Sequence, residues 1–341
     1  MALKKKDLIT LAKITANANP SSPVAYSFGE DKFNYSELND LVRSEMNELA
    51  GTYSKFRANK NTIFEIMEEV VDDVLPKKVM EQYGQFAEVK TFKQGDKPVF
   101  TNRITAAAKR RAKKFVTRVG LAGIYEVFKL DGTSLEVPTS AFGGAAQIAF
   151  EEFLDGRVQM SDVLDIVMEG LDEQVYIEIE KALEGAVKNM SAANKASGES
   201  FNEVEMDRLI SIADSYGRAV IYCTYEFAAT MVPAEGWVSD DMKNQKWANG
   251  YLANYKGHQV VVFNQSFTDE TNSVKVINPS NAWIIPTGAE KPVKISFEGP
   301  TIVRDIDNAD MSKEIQIYKK FGVGIITSNN ICNYKNTTLH V

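Results

Sequence analysis

The sequence predicts an α+β fold, and three observations predict it. Residues 161–187, "SDVLDIVMEGLDEQVYIEIEKALEGAV", place Val163, Val167, Leu171, Val175, Ile179 and Leu183 at four-residue spacing with acids between them. That spacing stacks apolar side chains on one face of a long helix. Residues 88–138 read instead as a two-stranded excursion whose return limb, "YEVFKLDGTSLEVP", carries an Asp131-Gly132 turn signal. The chain then closes on the strand-like runs "NAWIIP", "KPVKISFEG" and "KEIQIYKKFGVGII". Helices and strands gathered into separate stretches are the signature of an α+β arrangement.

Taken in order, residues 1–60 read as an N-terminal arm. Its first basic side chains, Lys4, Lys5, Lys6 and Lys13, precede "NANPSSP" at 17–23, where two prolines forbid regular helix. Such short pieces bury little apolar surface, so the arm is expected to need neighbours to become ordered. "YSELNDLVRSEMNELAGTY" follows as a helix with Ser36 placed to cap it and Leu38, Leu41, Val42 and Leu49 on one side. Residues 61–84 form a further helical run, interrupted at Pro76. The 161–187 helix has Ser161 as its N-cap candidate and spans about 40 Å if unbroken. Beyond residue 200, helical and strand patterns alternate through "AVIYCTYEF" and "WANGYLANYKGHQVVVF", as in a compact α/β lobe. In the last strand Ile315, Ile317, Phe321, Val323 and Ile325 share a face. Such a run greatly exceeds the usual ~5–6 residues, so it is expected to lie along a long helix rather than inside a small sheet.

Composition narrows the function classes. With 341 residues, 44% hydrophobic and 25% charged, the chain can bury a sizeable core in two or three domains. No apolar run approaches the ~20 residues that span a bilayer, and the N-terminus lacks the apolar stretch of a secretory signal, so a cytoplasm-like compartment and no membrane partner are expected. Cys223 and Cys332 sit far apart in apolar contexts and read as buried, unreactive free thiols. The two histidines, His258 and His340, fall at a strand start and near the chain end. No metal-ligand spacing, phosphate-binding loop or nucleophile motif occurs, so neither an enzyme nor a cofactor is expected. Chemistry by carboxylates alone stays open, but nothing singles out a pair of acids.

The charge is unevenly placed. Residues 90–118 hold ten bases against one acid, a net +9, while residues 151–184 hold eleven acids against two bases, a net −9, in a chain of net charge −7. Lys109, Arg110, Arg111, Lys113 and Lys114 form the densest basic run, and Glu169, Asp172 and Glu173 are candidate partners on a neighbouring subunit. Complementary charge of this kind steers association and fixes register. A solvated face and nucleic-acid binding are the other readings. The second is weakened by the acidic total and by Phe100 and Phe115 being the only aromatics near the run.

The order of parts resembles the major capsid protein of tailed bacteriophages. "AAQIAFEEFLDGRVQMSDVLDIVMEGLDEQVYIEIEKALEGAV" is similar to the family's passage from extended loop into spine helix, "WANGYLANYKGHQVVVFNQSF" to its apical-domain turn, and "FGVGIITSNNIC" to its peripheral-domain end. The resemblance implies an arm at 1–60, peripheral-domain segments at 61–87, 139–200 and 286–341, an extended loop at 88–138 and an apical domain at 201–285. It further implies hexamers and pentamers of this chain in an icosahedral virion built in the bacterial cytoplasm, with a separate scaffolding protein, a portal protein and packaged double-stranded DNA as partners. The family's lysine–asparagine crosslink matches no position here. An encapsulin, which shares the fold and encloses enzymes, is the nearest rival; a nucleic-acid-binding module and a carboxylate-dependent enzyme stand further off.

Overall fold

Helix α1 (Lys5–Asn17) buries Leu8, Ile9, Leu11 and Ala12, one face of its turns. The structure, a computed structural model, describes residues 4–18, 25–29, 31–102, 133–148, 160–232, 239–263, 265, 267, 269, 271–287, 291–307, 313–326 and 330–339. A small hairpin, β1 (Tyr26–Phe28) and β2 (Asp31–Phe33), leads into α2 (Tyr35–Ala50). Asn34, not Ser36, caps α2. The Asn34 side chain accepts from the Glu37 N–H at 2.9 Å and the Glu37 carboxylate accepts from the Asn34 N–H at 2.9 Å. This reciprocal box requires an acid three residues after the cap, which Asn34 has.

Helix α3 (Tyr53–Tyr83) starts earlier than expected, capped by Thr52, and runs through Pro76 without ending. Proline removes one backbone bond and costs about 3 kcal/mol inside a helix. Val70, Val71, Val74, Leu75 and Val79 around it are fully buried, each contributing roughly 1.5–3 kcal/mol, so burial wins. Helices α1 and α2 both pack on α3, and their apolar faces join the main hydrophobic core. These parts of the first 60 residues are therefore ordered by their own chain, contrary to the expectation that they need neighbours.

Downstream come β3 (Ala87–Phe92), β4 (Val99–Asn102), β5 (Thr133–Glu136), β6 (Ser140–Ile148) and the long helix α4 (Met160–Asn189). Leu171, Val175, Ile179 and Leu183 are buried as their spacing predicts. Ser161 falls within the span Met160–Asn189, and its side chain lies outside the described residues. The side chains of Val163 and Val167 lie outside the described residues, as do Asp131 and Gly132. Next follow β7 (Lys195–Gly198), α5 (Glu203–Asp214), β8 (Arg218–Thr224), α6 (Tyr225–Thr230), α7 (Asp240–Asn249), β9 (Asn254–Tyr255) and β10 (His258–Phe263). The chain ends on β11 (Asn281–Thr287), β12 (Val293–Asp307), β13 (Lys313–Ile325) and β14 (Cys332–Asn336).

Two sheets organise the molecule. The first has the order β3-β12-β13-β6, with β3 parallel to β12 and the other pairs antiparallel. The long β13 packs on α4 as expected, but it also lies inside the sheet, paired along its length with the still longer β12. The second sheet, β7-β14-β11-β8-β10-β9, carries α5 and its own core. Strand β8 joins the two cores by simple alternation: Val220 and Tyr222 face the first, Ala219, Ile221 and Cys223 the second.

Candidate assembly surface

The excursion is rooted on the outer face of the first sheet. Strands β4 and β5 pair antiparallel from Val99↔Glu136 to Asn102↔Thr133, and Phe100 and Val137 are buried beneath them. Glycines on β13 make the room. A Cβ at Gly322 would sit 2.1 Å from the Pro138 carbonyl oxygen, and one at Gly324 would sit 2.8 Å from Val137. The "FGVG" pattern is therefore the seat of the return limb.

Polar groups lock that seat. Lys294 on β12, 1% exposed, bonds Glu88 on β3 at 2.5 Å and lies 5.8 Å from the Phe100 ring centroid. Lys90 approaches the same carboxylate at 2.6 Å and the same ring at 5.0 Å. Burial works against the Glu88 charge, but hydrogen bonds from the two lysines outweigh it and hold the carboxyl below its ordinary value. Glu298 ties both limbs together: Thr139 Oγ1 donates to one carboxylate oxygen and the Gly95 N–H to the other at 3.1 Å. Those two bonds, Thr139 first, depress its pKa.

Helix α4 concentrates negative charge. Glu169 is exposed, and Asp172 and Glu173 are half-buried. Further along, Glu180 is only 8% exposed, with Glu184 one turn away; burial and then the Glu184 charge push its carboxyl up to about 8. Glu184 itself accepts from the Asn278 amide at 3.1 Å. Burial, then the neighbouring tyrosine and Asp172, raises the phenol of Tyr83; burial, then Glu180 and Asp172, raises that of Tyr176. Lys109, Arg110, Arg111, Lys113 and Lys114 all lie outside the described residues, so only the acidic half of the anticipated charge pair has a position.

Sequence reading missed a second ion pair. Lys319, 1% exposed, points from β13 to Asp72 on α3 at 2.6 Å and to the Gly299 carbonyl at 2.6 Å. Asp72 also accepts the Thr301 N–H at 2.8 Å, and Glu68, one turn earlier, accepts the Val303 N–H at 2.9 Å. Helix α3 is thereby tied to β12 where its register with β13 shifts, between Glu298 and Ile302. The available signal was parity, since 319 belongs to the same face as Ile317 and Phe321.

Both cysteines are free and buried, and burial pushes each thiol up to about 12. His258 sets Nδ1 3.2 Å from the Ala219 carbonyl and Nε2 3.4 Å from Asp214, while His340 lies outside the described residues. Among the described residues no three His, Cys, Asp or Glu side chains gather in a metal-binding cluster, and no helix is long and apolar enough to cross a membrane.

This architecture has counterparts. The capsid of the cyanophage P-SCSP1u matches with a TM-score of 0.51 at 9% identity, over 74% of this chain and 87% of that chain. The head of Helicobacter pylori bacteriophage KHP40 gives 0.49 at 12% identity, over 74% and 90%. The SrpI encapsulin complex from Synechococcus elongatus gives 0.42 at 8%, over 72% and 84%. No curated protein matches the sequence. The fold is that of the tailed-phage major capsid proteins. A family model described as "SPbeta prophage-derived putative capsid protein YonB" matches residues 11–334, nearly the whole length, and the chain belongs to that capsid-protein family.

Proposed function

We propose that this chain is the major structural subunit of a tailed-phage head, assembling through hexamers and pentamers into an icosahedral shell around double-stranded DNA. The observation that carries the reading is the match to a capsid-protein family over residues 11–334. The role is structural rather than catalytic, and the virion is its site of action after assembly in the bacterial cytoplasm. A separate scaffolding protein, a portal protein and the packaged DNA are its partners. The basic run of the excursion serves assembly by meeting the acidic strip of a neighbour's α4, where Glu169 is exposed and Asp172 and Glu173 are half-buried. That acidic strip favours a cationic neighbour, because confined like charges raise each other's cost of ionisation.

Electron microscopy tests the reading. Co-expression with the phage's own scaffolding protein should give closed, nucleic-acid-poor shells. Changing Lys109, Arg110, Arg111, Lys113 and Lys114 to Glu should leave a folded subunit that does not assemble, since surface charges contribute little to fold stability. Changing Glu169, Asp172 and Glu173 to Lys in the same chain should restore part of the yield. Normal shells from the charge-reversed variant would remove the charge-pairing role. Uniform shells filled with a host enzyme and never with DNA would turn the assignment to a cargo compartment.

A further inference from the structure

An edge strand offers its unpaired backbone N–H and C=O groups to any extended chain that comes near, and short length or charge is the usual guard against it. The two larger sheets end on β3 and β6, and on β7 and β9. Three of these four ends are guarded. Strand β3 carries Glu88 and Lys90, β7 has four residues with Lys195 among them, and β9 has two residues. Strand β6, with the sequence SAFGGAAQI, has neither guard. It is nine residues long against a usual length of about five or six, and no charged residue occurs from Val137 to Phe150.

One side of β6 is fully used. It pairs antiparallel with β13 without a register break from Ser140↔Phe321 to Ile148↔Lys313, and Phe142 stacks on Phe321 with ring centroids 4.2 Å apart. Among the described residues no strand pairs with its other side, and Ser140, Ala141, Gly143, Gly144 and Ala145 are exposed. The two glycines differ. A Cβ at Gly143 would lie 2.4 Å from the Ile317 carbonyl oxygen, so the subunit's own packing requires that glycine. A Cβ at Gly144 would meet nothing within 4 Å, its φ is not left-handed, and no bulge interrupts the ladder, so nothing among the described residues accounts for it. Glycine weakens a strand interior, and the use that remains for Gly144 is the close approach of another backbone.

We propose that the open edge of β6 pairs with β6 of a second copy, antiparallel about a two-fold axis, so that two four-stranded sheets become one of eight. Charge selects this occupant. A charged strand laid along β6 would lose water from its side chains with no opposite charge to meet, whereas a neutral strand carries no such cost. Among the described strands that end a sheet, β6 itself is the neutral one long enough to cover nine residues. Two identical strands paired antiparallel form an isologous contact, each copy giving and receiving the same bonds. The inference rests on the assembly reading above, because the edge is covered only where copies are brought together.

Two measurements on the full-length chain, co-expressed with its scaffolding protein, decide it. Ala141→Cys, Gly144→Cys and Ala145→Cys are made singly, and their particles are treated with a short bis-maleimide whose reach covers about two residues of strand rise. At least one variant should give a covalent dimer on a denaturing gel and none a longer ladder, because a residue meets its own counterpart only across a two-fold. The buried Cys223 and Cys332 keep the background silent. In the second measurement Ala141→Lys/Ala145→Lys and Ala141→Glu/Ala145→Glu should each leave the melting temperature of the unassembled subunit unchanged, since both side chains are exposed. Each should lower particle yield by at least about tenfold, as like charges then meet across the interface. Expressing the two variants together should restore most of the yield. With a scaffold strand or a different surface of the subunit as occupant, each variant would act by itself and the mixture would not recover. Particles without a dimer at any of the three positions, wild-type yield from both charged variants, or a mixture that stays depressed would each overturn the pairing and leave the capsid reading standing. If the wild-type chain forms no shells with its scaffold, both fall together.

Discussion

A lysine enclosed to 1% exposure is stable only while its partners stay in place, and Lys319 has two of them, Asp72 and the Gly299 carbonyl. Lys319→Ala removes the cation and leaves the carboxylate of Asp72 facing an emptied site. Breaking a buried pair typically costs about 3–5 kcal/mol, and the lower end applies because the Asp72 side chain is 32% exposed and water can reach it. Denaturant unfolding should show this loss, and Lys319→Met combined with Asp72→Leu should recover only part of it, since Asp72→Leu also gives up the bond from the Thr301 N–H. An unchanged midpoint for Lys319→Ala would mean the pair is not holding α3 to the sheet. At this scale the sequence was partly legible. The buried thiols could be read from their apolar neighbours, but Lys319 and Lys294 could not be distinguished from surface lysines, because their burial depends on carboxylates 247 and 206 positions away.

Among the elements, the N-terminal helices changed most between expectation and structure. Leu8, Ile9, Leu11 and Ala12 of α1 are buried against α3, and Lys5 and Lys13 form ion pairs with Glu65 and Asp73 on that helix. Deleting residues 1–18 should therefore destabilise the subunit by several kcal/mol, at roughly 1.5–3 kcal/mol for each large apolar side chain re-exposed. Thermal melting would report it as a lower transition temperature. A truncated chain that melts like the full-length protein would show that α1 is a detachable arm after all. Helix α4 and the closing strands were legible because an uninterrupted period of four or two records which face is buried. The boundaries were not. Pro76 breaks an isolated helix, yet here five buried neighbours outweigh it, and that environment comes from α1, the first sheet and α4 rather than from α3 itself.

For the molecule as a whole, Glu180 makes stability depend on pH. Its carboxyl titrates near 8 in the folded state, against an ordinary value of 4.5. Between those values the folded chain holds a proton that the unfolded chain has lost, so stability falls as pH rises through this window and the loss is complete above about 8. Glu180→Gln should flatten that slope and gain on the order of a few kcal/mol at pH 9 with little change at pH 5, read from unfolding curves at the two values. Equal slopes in the two proteins would refute the assignment. The acidic character of α4 was plain from composition, whereas the burial of Glu180 beside the Asn278 loop was not, since that loop arrives from the other lobe. The parallel pairing of β3 with β12 reaches further still, into the making of the protein. Val293 aligns with Ala87 and Phe297 with Thr91, so β3 has no pairing partner until β12, late in the sequence, has been made. Until then α3 presents an apolar strip and β3 a bare edge. High contact order makes such folding slow, and exposed strip and edge make it the stage most open to aggregation. Completion of translation thus acts as a timer. A nascent subunit lacks the seat for its own excursion until β12 and β13 have been made.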